Sequence, residues 1–329
     1  MKRALIILLL AFAGCSVWDN QAGCPEPLLS VIFTPGEETR SPSEASENAV
    51  THLSILLYRE GTTLPYAFGS ISGGSLPLSI DSGTYTVYAI VNFPSFTPTS
   101  STRPSDIASM TSNLTDNSRS ALVMSGSVKA IISSSGTVAV PVLRHTSKVT
   151  LQSVSVDFSG TYLEGKSILL RKCYLSNVWG SCSFGAASSG AAPEATVPSA
   201  GGSWYNLHGY STSAADELIY AALSTTVADG TTCSDRQYFY CTPNPSTVRT
   251  SDVLPCCTRL VLEVSAGDDE NTCHYHIDLP GMSPNSAYSV SVSIGYYGGD
   301  SPESNLGRLD ISAEVSVEDY TVSEMPVTL

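Results

Sequence analysis

Basic residues are scarce. In 329 residues there are 16 Lys and Arg against 30 Asp and Glu, a formal net charge of -14. A surface that tracks phosphates needs clustered cations, so nucleic acid is excluded as a partner. Charged residues of all kinds make up only 14% of the chain, and Ser, Thr, Gly and Tyr are abundant. That mixture suits exported β-rich proteins better than helical enzymes. Long apolar runs are missing too. The run from Ala4 to Phe12 falls well short of the roughly 20 residues that span a bilayer as a helix. Catalytic signatures are lacking: there is no G-x-S-x-G elbow, no Gly-rich phosphate loop and no H-E-x-x-H pair. The chain is expected to be no enzyme and to hold no cofactor.

What precedes residue 15 has the order of a secretory signal. Lys2 and Arg3 are followed by the apolar run, then by the small residues Ala13 and Gly14 before Cys15. Phe-Ala-Gly-Cys resembles a bacterial lipobox, which implies acylation of Cys15 and a membrane anchor. The expected organisation is a signal at 1–14, a first domain at 15–145 with a lipidated tail, and a second, disulfide-rich domain at 146–329. The boundary is placed where LRHTSK interrupts two apolar strands, and the loop at 183–202 is read as lying inside the second domain.

The dominant sequence period is two. HLSILLY, TYTVYAIVN, TVAVPVL, KVTLQSVSVDF, SILLRKCYL, DELIYAAL, TRLVLEVSA and AYSVSVSIGYY alternate or run apolar, with Gly, Ser, Pro and Asn clusters between them. This predicts an all-β chain of two antiparallel sandwiches. One helix is expected over SDIASMTSNL, capped by Ser105, with Ile107, Met110 and Leu114 on one face.

Eight further cysteines, Cys24, Cys173, Cys182, Cys233, Cys241, Cys256, Cys257 and Cys273, are an even number in an exported chain and read as disulfides of unknown pairing. His274 and His276 alternate on one strand face, as a metal site could use, but a third ligand is wanting and Cys273 points the other way; a polar outer face is the expectation.

Four stretches taken together carry a resemblance: CSVWDNQAGCPEPLLSVIF, GTYTVYAIVN, ALVMSG after a short helix, and VPVLRHTSKVTL with Arg144 after an apolar strand. The chain resembles the anchor subunits of Bacteroidales type V fimbriae, the lipoproteins that hold fimbrillin filaments to the outer membrane. The resemblance implies two transthyretin-like sandwiches, a lipid on Cys15, fimbrillin subunits as partners, and assembly by strand exchange at an open sheet edge. Cys24 would then tie the lipidated tail to the body. Arg40, in the polar stretch GEETRSPSEASEN, is a candidate for proteolytic processing. The groove candidates are Ile55 and Leu57 on one strand and Val87, Ala89 and Val91 on another. Two alternatives stand beside the anchor: a stalk or tip fimbrillin subunit, and a surface lipoprotein that binds a host ligand or glycan through Trp179, Trp204 and Tyr205.

Overall fold

The computed structural model describes residues 28–31, 46–73, 76–133, 137–185, 198–199, 201–250, 252–266, 272–304, 311–319 and 323–328. Cys15, Cys24 and Arg40 lie outside the described residues. The fold is nearly all β, as its period-two sequence dictates. No helix among the described residues is long and apolar enough to cross a membrane.

The first sandwich uses β1 (Leu28–Val31), β2 (His52–Arg59), β3 (Ala67–Ser72), β4 (Pro77–Ser79), β5 (Gly83–Val91), β6 (Thr111–Asn113), β7 (Met124–Ile132) and β8 (Thr137–Arg144). The second uses β9 (Ser147–Val156), β10 (Ser167–Ser176), β11 (Val178–Trp179), β12 (Ser181–Ser183), β13 (Trp204–Tyr205), β14 (Tyr220–Ala228), β15 (Thr232–Cys233), β16 (Gln237–Cys241), β17 (Arg259–Ala266), β18 (Thr272–Asp278), β19 (Ser286–Ile294) and β20 (Ile311–Asp319). A last strand, β21 (Ser323–Thr328), follows them in the chain.

In the first sandwich the order is β3-β2-β5-β7-β8-β21-β1-β4. Strand β8 turns the corner. Its end pairs with β7 through Met124↔Arg144 and Ser125↔Leu143, and its remainder pairs with β21. The sheet folds over so that Val140 and Val142 of β8 meet Leu53, Ile55 and Leu57 of β2 and Val87, Ala89 and Val91 of β5 in one core. The alternate residues Leu56, Tyr58, Tyr88 and Ile90 pack on the opposite face, with Phe93, Ile107, Val123 and Phe184. Burial on both faces explains why HLSILLY reads as a nearly continuous apolar run.

The second core lies between the sheet β14-β10-β17-β18 and the sheet built on β9, β19 and β20, with β15 and β16 both pairing to β9. One pair departs from the antiparallel expectation: β9 and β19 run parallel. Segments also cross between the two sandwiches. Strand β12 pairs with β6, Phe184 enters the first sandwich's outer cluster, and Leu114 and Leu122 join the second core.

Two local expectations change. The helix α1 covers only Pro104–Ser109, with Arg103 at its N-cap and Asp106 Oδ2 accepting the Arg103 N–H at 2.8 Å. It stops early because Thr111 and Ser112 are drawn into the ladder with β12, a tertiary contact that overrides the local pattern. DELIYAAL is also divided: Asp216–Ile219 forms a turn of helix, α2, and the strand begins only at Tyr220.

Candidate functional site

The five groove candidates sit on central strands. Ile55 and Leu57 on β2, and Val87, Ala89 and Val91 on β5, are fully buried. They face the side of the sheet on which β8 and β4 lie, since Val140, Val142 and Leu78 share their cluster. Between β8 and β4 the sheet is completed by just two strands, β21 and β1. The candidates therefore line the floor of a slot whose roof is made of strands from opposite ends of the chain.

Strand β21 comes from beyond the second sandwich and pairs antiparallel with β8 from Ser323↔Val142 to Thr328↔Thr137. Its other edge pairs with β1 through Ser30↔Thr328 and Val31↔Val327, and β1 in turn pairs with β4. The contact is a backbone ladder, which any extended segment of suitable side-chain alternation could make. Pro141 stands opposite Glu324 and Pro326 opposite Ala139, two pairs of the kind that exchange no hydrogen bonds in an antiparallel ladder, where a missing N–H costs nothing. Strand β21 falls within the expected unit 146–329 by sequence but pairs in the first sandwich's sheet. SEMPVT was not legible as a strand, being short and interrupted by Pro326.

The slot's upper end abuts the junction of the two sandwiches, where buried polar groups gather. Arg144 is 0% exposed; its guanidinium donates to Asn48 Oδ1, and its backbone N–H donates to Asn285 Oδ1 at 3.1 Å. Lys148 Nζ lies 2.8 Å from Glu47 Oε1, with side-chain exposures of 7% and 3%, and the Tyr240 hydroxyl donates to the same carboxylate. His145 is buried between Ser112 Oγ (2.9 Å, at Nδ1) and Ser125 Oγ (2.7 Å, at Nε2), edge-on to Phe184. Desolvation lowers its pKa to about 3.

Of the remaining sequence candidates, Cys182 stands opposite Ser112 and Cys241 opposite Ser147, at the border of this region. Cys173, Cys182, Cys233, Cys241, Cys256, Cys257 and Cys273 form no disulfide with one another, and all are buried except Cys233. The expected disulfide framework is not seen; Cys173, Cys241 and Cys273 pack in the second core as small hydrophobes. Burial pushes the thiols of Cys182, Cys241 and Cys257 up to about 12 and that of Cys173 higher still. His274 and His276 share a face of β18, with His274 Nε2 at 3.9 Å from Glu263 Oε2, and burial lowers both pKa values. Trp179 and Trp204 stack edge to face at 5.4 Å between ring centroids on the β11–β13 ribbon. A Cβ on Gly202 would overlap the Trp179 ring, so backbone already covers part of that aromatic surface.

No family model matches the chain, and no curated protein matches it. Solved structures do. A fimbrilin from Porphyromonas gingivalis W83 superposes with a TM-score of 0.62 at 12% identity, covering 90% of this chain and 98% of that one. A protein assigned to cell adhesion from Parabacteroides distasonis ATCC 8503 gives 0.59 at 12% identity, over 90% and 98% of the two chains. Another, from Bacteroides eggerthii DSM 20697, gives 0.57 at 16%, over 90% and 96%. The class is thus a tandem β-sandwich. The chain shares the fold of these fimbrial and adhesion proteins over nearly its whole length.

Proposed function

We propose that the chain is a non-enzymatic subunit of a bacterial surface fimbrium that joins neighbouring fimbrillin subunits by strand exchange at the slot between β8 and β4. The observation that carries this reading is β21, which completes the first sandwich from outside the segment that builds it. A strand that fills its own slot can fill the same slot in another copy or in a related subunit, because the ladder is backbone and the register is alternate apolar side chains. Such chemistry uses no catalytic group. Arg40 lies in the chain between β1 and β2, so a cut there would free β1 from β2 and open a second position in the roof. In the same reading Cys15 carries the acyl anchor at the outer membrane, the chain is an anchor rather than a stalk or tip subunit, and it divides functionally at 145/146.

The test is deletion and complementation. A chain lacking 320–329 should bind a synthetic peptide of residues 320–329 as a 1:1 complex and regain its thermal stability. A truncated chain that is as stable as the full one and ignores the peptide would sink the reading.

A further inference from the structure

The wall of the slot, β8, ends at Arg144, two residues past the Val142↔Ser323 pair where β21 enters. That end is held by a segment far away in sequence. The 3-10 turn Ser46–Asn48 is inserted at the junction, where Asn48 accepts from Arg144, and Glu47 meets Lys148 at 2.8 Å and accepts from Tyr240. Lys148 is the second residue of the next strand, β9, and Tyr240 stands directly opposite it on β16. One short turn therefore ties the end of β8 to the start of the second sandwich, through charges that are almost completely desolvated.

Such a cluster does not fit a merely stabilising role. Apolar residues of the same volume commonly serve stability as well or better, while an ion pair with several fixed hydrogen bonds specifies one geometry. We infer that Glu47 and Asn48 are positioning residues for strand exchange: by clamping Arg144 and Lys148 they hold the mouth of the slot in register and set how readily the C-terminal strand leaves it. This rests on the strand-exchange reading. Removal of Glu47 would take the 2.8 Å carboxylate contact from buried Lys148, and the junction would relax where β21 enters.

The experiment is amide hydrogen exchange on the full chain, read on 323–328 and on the rest of the sheet. In Glu47→Ala the amides of β21 should exchange at least tenfold faster than in the unmodified protein, while those of β2 and β5 keep their protection. Lys148→Arg, which retains the charge, should stay within about twofold. As a control for general destabilisation, Leu170→Ala removes a core side chain of the second sandwich and should not selectively release β21. Equal acceleration by Leu170→Ala, or unchanged β21 exchange in Glu47→Ala, overturns the clamp and leaves the slot standing. Unprotected β21 amides in the unmodified protein overturn the slot and the clamp together.

Discussion

His145 shows how a single side chain fixes the pH response of the junction. Its imidazole is held neutral by burial, with folded pKa lowered to about 3 from an ordinary 6.5. The unfolded chain therefore binds the proton more readily than the folded one at any pH between those values. Stability from this group is complete above about pH 6.5 and falls as pH drops toward 3, by up to ~1.4 kcal/mol per pH unit. His145→Gln, neutral at every pH, should flatten the acid limb of a stability-against-pH curve; a variant curve parallel to the unmodified one would refute the assignment. Thiols offer a second residue-scale check. In the folded protein a thiol reagent should reach Cys233 well before the six buried cysteines. After denaturation without reductant all seven should react, and a count near zero would mean that they had been bridged. Arg144 was legible in the sequence as a marked position after an apolar strand. Its neighbours Glu47, Asn48 and Tyr240 were not, because nothing local shows that segments so distant in sequence converge on it.

At the scale of elements, the central strands were readable and the edges were not. Strands β2 and β5 announce themselves because both faces are buried, and alternation shows that Ile55 and Leu57 share one face of β2, and Val87, Ala89 and Val91 one face of β5. Alternation could not say that these residues form a floor rather than an open rim, since that depends on which strands close the sheet. Strand β21 and the ribbon β11–β13 are too short, and too rich in Pro or aromatic residues, for a period to emerge. The roof strand should be the weak element. Its six residues make only a short ladder, so deletion of 320–329 should lower stability by roughly 2–5 kcal/mol, on the order of 1 kcal/mol per backbone hydrogen bond lost. Leu57→Asp or Val87→Asp belongs to a different class. An unpaired carboxylate at a fully buried position should unfold the first sandwich outright, as a lost cooperative melting transition would report. Melting within a degree or two of the unmodified protein would contradict the burial.

Over the whole molecule, the two sandwiches are tied by more than their linker. Strand β12, Phe184, Leu122 and the Glu47 turn all cross the junction, and β21 returns from the second sandwich to complete the first. A chain closed in this way fills its own slot, and on the proposed reading assembly would consist in trading one strand for its equivalent. The direct measurement is a covalent trap at the register pair Ala139↔Pro326. Cells carrying Ala139→Cys together with Pro326→Cys should yield, under mild oxidation, a ladder of disulfide-linked multimers that collapses on reduction, with neither single variant producing it. If the double variant forms only an internally linked monomer while fimbriae remain on the cells, β21 is a permanent part of its own sheet and strand exchange at this slot is wrong.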